Sequence, residues 1–265
     1  MGVLNVTPDS FFDGGRYLTP AAALARGRQI LDEGADILDI GGESTRPGAI
    51  PVDEEEELAR VLPVVEGLAG DGRISSGRAR ISIDTTTPAV AEAAVRAGAA
   101  IVNDVSATLG ELAASLGAGY VAMHCKGTPA HMQDNPRYDD VVAEVAEFLA
   151  GAASAAARAG AGEVFIDPGI GFGKTAAHNL TLLAHLELLC DLGWPVLVGT
   201  SRKAFIGRVA AGGPSAAPLP LSERFEGSLA TAVWSMAKGA AAVRVHDVAP
   251  TVAAARLVEA CGWQR

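Results

Sequence analysis

The sequence predicts a single-domain (β/α)8 barrel that spans residues 1–265. Eight short apolar runs rich in β-branched residues alternate with segments of helical length, a pattern typical of buried parallel strands. The runs lie at residues 2–6, 36–40, 80–84, 100–104, 119–124, 163–167, 195–199 and 241–246. Eight strand–helix units in 265 residues give about 33 residues per unit, and this barrel usually has about 250 residues.

The segments between the runs have the spacing of amphipathic helices. In the second segment, apolar residues recur at intervals of three and four, at Leu58, Val61, Leu62, Val65, Leu68 and Ala69. A later segment places Val141, Val145, Phe148 and Leu149 on one helical face. The Gly-, Pro-, Ala- and Ser-rich stretches 70–79 and 212–221 are short enough to be surface loops, so we expect no domain boundary.

An open, doubly wound sheet is the alternative to the barrel. Such a sheet usually has fewer strands and carries a GxGxxG turn after the first one. Here the first apolar run leads into the segment Thr7-Pro8-Asp9-Ser10. The sequence therefore favours the barrel.

Composition excludes several classes of partner. The chain has 21 Lys and Arg against 31 Asp and Glu, a net charge of −10, whereas nucleic acids and anionic membranes require a cationic surface. No charge-free run reaches the ~18 residues of a membrane span, and the first residues lack the basic start of a signal peptide. Three cysteines without a CxxC pair indicate a reducing compartment. We expect a cytoplasmic protein without nucleic-acid or membrane partners.

Polar side chains stand at the end of every predicted strand. In a barrel these carboxyl ends meet at one mouth, where catalytic groups are normally found. Carboxylates and amides follow strands 3, 4 and 6, as Asp84, Asn103 and Asp167. Cations follow strands 7 and 8, in the segments 201–203 (Ser-Arg-Lys) and 244–246 (Arg-Val-His). The first group suits a flat, nitrogen-rich ring, and the second suits a phosphate.

Two other patterns are discounted. The segment 169–175, Gly-Ile-Gly-Phe-Gly-Lys-Thr, ends like a P-loop, but GxxxxGK[ST] requires glycine where this chain has Pro168. We therefore expect Lys174 to contribute less to activity than the cations after strands 7 and 8. His178 and His185 have no third ligand nearby for zinc.

Longer motifs follow one another along almost the whole chain. They are MGVLNVTPDSF (1–11), DGG (13–15), DIGGESTRPG (39–48), SIDT (82–85), VND (102–104), MH (123–124), DPGIGFGKT (167–175), HN (178–179), SRK (201–203), GSLA (227–230) and RVHD (244–247). In this order and spacing they resemble the dihydropteroate synthase family, the pterin enzymes of folate biosynthesis.

The resemblance implies a transferase. Members of the family condense 6-hydroxymethyl-7,8-dihydropterin pyrophosphate with 4-aminobenzoate, which gives 7,8-dihydropteroate and pyrophosphate. It further implies Mg2+ as the cofactor, and we expect a homodimer whose only other partners are these small molecules.

The resemblance also assigns residues to roles. The pterin would be held by Asp84, Asn103, Asp167 and Lys203, and the phosphates by Arg46, Arg244 and His246. Asn5 would help to hold Mg2+ with the pyrophosphate. The aminobenzoate would lie beside Ser201 under two loops that carry Phe11, Thr45, Arg46 and Pro47. The catalytic set would be Asp84, Asp167, Lys203, Arg244 and His246.

Two other functions share part of the pattern. A pterin-binding methyltransferase-type barrel has the acidic pterin cradle but no leaving pyrophosphate, so the cations after strands 7 and 8 argue against it. A non-catalytic paralogue would have lost residues of the cradle or cations, and none is missing. Phe12 is bulkier than the serine common in the family, which bears on selectivity at the aminobenzoate site.

Overall fold

The computed structural model describes residues 1–7, 19–44, 52–127 and 131–262. Within these ranges the strands are β1 (Gly2–Asn5), β2 (Ile37–Gly41), β3 (Arg80–Asp84), β4 (Ile101–Asp104), β5 (Gly119–Met123), β6 (Val164–Asp167), β7 (Leu197–Val198) and β8 (Ala242–Val243). All eight predicted strands are therefore present. The first six agree with the apolar runs to within one residue at each end, whereas β7 and β8 are shorter.

The strands form a ring in chain order. Strands β1 to β6 make one parallel sheet, and β7 pairs with β8. Single parallel bridges join the two parts, between Ile166 and Val196 at one seam and between Gly2 and Val245 at the other. At the second seam Val3 N also donates to Val245 O over 3.0 Å. The predicted (β/α)8 barrel is confirmed.

Helices follow the strands around the outside. They are α1 (Pro20–Asp32), α2 (Glu54–Ala69), α3 (Gly72–Ser75), α4 (Pro88–Arg96), α5 (Gly110–Ser115), α6 (Val141–Ala159), α7 (Ala176–Ala184), α8 (Leu186–Cys190), α9 (Ala204–Ala210), α10 (Phe225–Ala237) and α11 (Val248–Ala260). Local sequence explains their starts: the side chains of Thr19, Asp53, Asp140 and Thr175 cap free N–H groups in the first turn. No helix in the described ranges is long and apolar enough to cross a membrane.

The predicted helical faces are largely confirmed. In α2, Val61, Val65 and Leu68 are fully buried against the sheet. In α6, Val141, Val145 and Leu149 are buried, whereas Phe148 of the same helix is 40% exposed. Its ring contacts the His124 ring edge-on, with centroids 5.0 Å apart, so the side chain covers the rim of the barrel instead of entering the core.

The two-residue period of the strands creates layers inside the barrel. A small apolar cluster, the floor, contains Ile37, Ile101, Val121, Phe165 and Leu197. Two residues further along the same strands, the inward positions are occupied by Asp39, Asn103, Met123, Asp167 and Gly199. Since side chains on a strand alternate between its two faces, each polar residue stands one layer above the floor. The polar layer therefore faces the mouth.

Candidate active site

A cavity of about 780 Å³ opens at the carboxyl ends of the strands. Every predicted site residue within the described ranges lines it: Asn5, Asp84, Asn103, Asp167, Ser201, Lys203, Arg244 and His246. Phe11, Thr45, Arg46 and Pro47 lie outside the described residues, as does Phe12. Asn5 and His246 are 241 positions apart in sequence. They line the same cavity because the ring of strands closes between β8 and β1.

The acidic side of the cavity is organised around Arg244. Its Nε donates to Asp39 Oδ2 over 2.6 Å, and its Nη2 donates to Asp84 Oδ2 over 2.7 Å. Asn103 Nδ2 also donates to Asp39 Oδ2, over 3.2 Å. The guanidinium that was expected to face phosphate is thus directed to two carboxylates, and this pairing offsets part of the cost of burying their charges.

Asp39 was missed by the sequence reasoning. It is fully buried and lies in the middle of β2 rather than at a strand end, where the polar residues were sought. A signal was present, because a carboxylate interrupts the apolar run of Ile37, Leu38 and Ile40. A charge on an inward strand position requires a partner, and Arg244 supplies it.

Asp84 has one satisfied and one unsatisfied oxygen. Oδ2 accepts from Arg244, whereas Oδ1 is buried and accepts no hydrogen bond from the residues that the structure describes. Burial raises the pKa of Asp84 to about 7; Arg244 opposes this shift, and Asp39 adds to it. A buried acceptor without a donor costs about 1–3 kcal/mol, so Oδ1 is a ready acceptor for a ligand N–H group.

Asp167 and Lys203 line the same cavity as Asp84 and Asn103. Gly169 N donates to Asp167 Oδ1 over 2.7 Å, and Lys203 Nζ donates to Ile170 O. Burial raises the pKa of Asp167, and the Lys203 charge opposes that rise. Burial lowers the pKa of Lys203 to about 8, against the effect of Asp167. The Lys203 ammonium also lies 4.7 Å from the centroid of the Phe172 ring.

The three side chains of the segment 201–203 have different partners. Ser201 Oγ lies 3.0 Å from His246 Nδ1 and accepts from His246 N over 3.2 Å. Arg202, which was expected to supply a guanidinium to phosphate, is directed instead to Asp247, with Nε–Oδ2 at 3.0 Å and Nη2–Oδ1 at 2.5 Å. Its positive φ of 60° turns the chain between Ser201 and Lys203, and all three residues line the cavity.

No group of three or more His, Cys, Asp and Glu side chains is positioned for a metal ion within the described ranges. Asn5, at the end of β1, places an amide on the cavity wall beside Thr7.

Comparison with known proteins gives consistent results. The family described as pterin binding enzyme matches residues 1–246. A dihydropteroate synthase from Neisseria meningitidis serogroup C is 46% identical over 99% of this chain and 92% of its own length. A Yersinia pestis dihydropteroate synthase, solved with a sulfonamide drug complex, superposes with a TM-score of 0.91 at 42% identity, covering 100% of this chain and 94% of that one. A Xanthomonas albilineans dihydropteroate synthase solved with 4-aminobenzoic acid has a TM-score of 0.86 at 46% identity, with 100% and 93% covered.

Proposed function

Since the chain belongs to the dihydropteroate synthase family of pterin-binding enzymes, we propose that its cavity joins 6-hydroxymethyl-7,8-dihydropterin pyrophosphate to 4-aminobenzoate. The observation that carries the proposal is the unsatisfied Asp84 Oδ1 beside Asn103, Asp167 and Lys203 in one buried wall. A dihydropterin ring offers N–H groups to carboxylates and a carbonyl oxygen to an ammonium. The wall is complementary to that ring.

The pterin end is the deeper end of the cavity. Asp84, Asn103 and Asp167 are buried one layer above the apolar floor, so a flat ring bound there loses its contact with water. In such surroundings hydrogen bonds to ionised groups are strong. We assign Asp84 and Asp167 to ring N–H groups, Asn103 to a mixed donor and acceptor edge, and Lys203 to a ring acceptor.

The same carboxylates assist the reaction. The bond between the pterin methylene carbon and the pyrophosphate oxygen breaks, and its electron pair leaves with the pyrophosphate. The methylene becomes a cation delocalised into the ring, and buried carboxylates at Asp84 and Asp167 stabilise positive charge there. The aniline nitrogen of 4-aminobenzoate then forms the new C–N bond and releases a proton. An aniline is already nucleophilic, so the site needs no activated serine or cysteine.

The leaving pyrophosphate requires positive charge. We assign Arg244 and His246 to it, with Arg46 from outside the described residues. His246 lines the cavity beside Ser201, and Arg244, whose Nε and Nη2 donate to Asp39 and Asp84, lines the same cavity just after β8. Preorganised cations of this kind stabilise charge that develops as the bond breaks.

The residues present fit a magnesium ion held mainly by substrate. Mg2+ commonly takes one or two protein oxygens and completes its coordination with phosphates and water. Asn5 offers one such oxygen on the cavity wall. When bound, the ion would neutralise charge on the departing pyrophosphate. Phe11, Thr45, Arg46 and Pro47 remain our proposal for the loops that cover the aminobenzoate next to Ser201.

Turnover of the purified protein tests the proposal. With both substrates and Mg2+ we expect dihydropteroate and pyrophosphate in equal amounts, measured by chromatography and a coupled phosphate assay. Excess chelator should abolish turnover, and added Mg2+ should restore it. Folded protein that makes no dihydropteroate at saturating substrate would contradict the function, and unchanged turnover in chelator would contradict only the metal. No observation favours the methyltransferase or the non-catalytic paralogue.

We also propose a homodimer that forms through the outer face of helices α7, α8, α9 and α10. Large apolar side chains are exposed on all four helices, at Leu180, Leu188, Val209 and Trp234. Trp234 Nε1 donates to Leu183 O over 2.7 Å, which places α10 directly against α7. Exposed apolar residues that are concentrated on one face mark interaction sites, and a second copy of this chain is the occupant that we propose.

Sedimentation velocity tests the dimer. We expect about twice the 27.0 kDa chain mass for the parent and the single-chain mass for Leu188→Lys. Leu257→Lys is the matched control, because Leu257 is even more exposed, at 68% against 51%, but lies on α11 outside the proposed face. A monomeric parent, or equal dissociation by both variants, would contradict the interface.

We further propose a cytoplasmic location. The three cysteines, Cys125, Cys190 and Cys261, contain no CxxC pair, and an odd number cannot all pair within one chain, which suits a reducing compartment. The net charge of −10 also suits small-molecule substrates rather than nucleic acid as partners. Recovery of the protein in the membrane or secreted fraction of its own cells would contradict this location.

A further inference from the structure

The glycine loop 169–173 leads into Lys174, which lines the cavity but directs its ammonium to backbone carbonyls. The Lys174 residue is 2% exposed. Its Nζ donates to Phe172 O over 3.0 Å, to Gly169 O over 3.1 Å and to His124 O over 3.2 Å. His124 Nδ1 lies 2.8 Å from the same nitrogen. The lysine of the P-loop-like motif thus binds carbonyls of its own chain.

His124 acts as an acceptor in this cluster. Burial, together with the charge of Lys174, lowers its pKa to about 3, so the imidazole is neutral. Burial also lowers the pKa of Lys174 to about 7, while Cys125 and Asp167 oppose that change. Both the ammonium and the neutral amine carry N–H donors for the carbonyls. The ammonium has three such donors and the amine two, so the ammonium is the form that can satisfy all three carbonyls.

The loop lies directly on the chain that follows β5. Gly169 has a φ of +63°, and a Cβ there would lie 1.8 Å from His124 O. Gly173 has a φ of +61°, and its Cβ would lie 2.1 Å from Lys126 O. Only glycine permits this approach. The approach also brings backbone carbonyls together inside the protein, where they need the donors of Lys174.

The other side of the loop holds two residues assigned to the pterin. Gly169 N donates to Asp167 Oδ1 over 2.7 Å. Ile170 O accepts from Lys203 Nζ, and the Phe172 ring lies under the same ammonium at 4.7 Å. Lys174 binds the carbonyls of Gly169 and Phe172. Gly169 is also the residue that donates to Asp167, and Phe172 is the residue whose ring contacts Lys203.

We propose that Lys174 is a positioning residue, which fixes the loop 169–173 against His124 and thereby orients Asp167 and Lys203 toward the pterin. The inference rests on the proposed function, because that function makes these two side chains pterin ligands. Lys174 touches no substrate in this scheme. Its effect should therefore concern the pterin and not the aminobenzoate.

Lys174→Met tests the inference, because methionine fills a similar volume without N–H donors. We expect the calorimetric Kd for dihydropterin pyrophosphate to rise by about 10- to 100-fold, since small displacements of binding groups have effects of this size. We expect kcat to fall as well, while the KM for 4-aminobenzoate stays within about twofold. Lys126→Met is the matched control: Lys126 is two residues beyond His124, but its side chain is solvent-exposed and pairs with Glu144 outside the cavity.

Circular dichroism and thermal melting accompany each titration. If Lys174→Met does not fold, Lys174→Gln, which keeps N–H donors, replaces it and should show a smaller rise in Kd. A folded variant with the parent Kd would overturn the inference, and so would an activity loss that only matches the unfolded fraction. If the parent protein binds dihydropterin pyrophosphate but forms no dihydropteroate, only the proposed function is contradicted. The comparison of Kd values between parent and variant still tests the role of Lys174.

Discussion

Arg244→Ala is expected to lower kcat/KM by about 10²–10³-fold, the usual loss when a charge contact of the transition state is removed. It should also lower the free energy of unfolding by about 3–5 kcal/mol, because one partner of a buried ion pair disappears. Arg244 donates to both Asp39 and Asp84, and Asp39 is fully buried. Steady-state kinetics and denaturant unfolding measure the two effects.

Two further variants make this prediction specific. Arg256→Ala removes an arginine that is exposed on α11, and it should change neither quantity. Adding Asp39→Asn to Arg244→Ala should recover part of the lost stability, because it removes the carboxylate that was left without a counter-charge. If the double variant is no more stable than Arg244→Ala alone, the stability of this wall does not depend on charge compensation.

Lys203→Ala is expected to reduce kcat/KM for the pterin substrate by about 10²–10³-fold. In the parent, kcat/KM should fall about tenfold per pH unit above a pH of about 8, because burial lowers the pKa of Lys203 to about 8 and the charged form is the one that binds. Lys203→Arg keeps its charge to a higher pH and should shift this alkaline limb upward. A pH–rate profile for the three proteins tests the assignment.

Unfolding does not explain such an alkaline loss. The pKa of Lys203 in the folded protein is below its ordinary value of 10.5, so between about pH 8 and 10.5 the unfolded chain binds more protons. The contribution of this group to stability therefore rises with pH over that window. Two results together would contradict the assignment: the melting temperature and the activity of the parent fall together between about pH 8 and 10.5, and Lys203→Arg behaves identically. Lys203 would then not be the cause of the alkaline loss of activity.

Much of the fold follows from local patterns in the sequence. Apolar β-branched runs and helical spacing predicted all eight strands, because buried parallel strands and amphipathic helices depend on composition over a few residues. The polar side chains at the mouth of the barrel were predicted from the residues at the carboxyl ends of those runs. β7 and β8 are shorter than their runs because pairing across the ring, and not composition, decides where a strand ends.

Side-chain directions within the site could not be predicted in the same way. Arg244 and Asp39 are 205 positions apart, and their contact exists only because the ring closes. Arg202 turns to Asp247 at a residue with positive φ, which its sequence neighbours do not reveal. Lys174 resembled a phosphate ligand in sequence, but the packing of the glycine loop on His124 surrounds it with carbonyls. Each case depends on tertiary contacts.

Because the floor beneath the polar layer is apolar, the charged groups inside the barrel lie only on the mouth side of that floor. Ile37, Ile101, Val121, Phe165 and Leu197 close the barrel below the carboxylates, so counter-ions can approach those charges only through the mouth. Once a ring fills the cavity, dissolved salt can screen the deep contacts very little, while groups near the mouth remain within a Debye length of about 8 Å at physiological ionic strength. Ionic strength should therefore act on the phosphate end of the substrate and leave recognition of the pterin ring nearly unchanged.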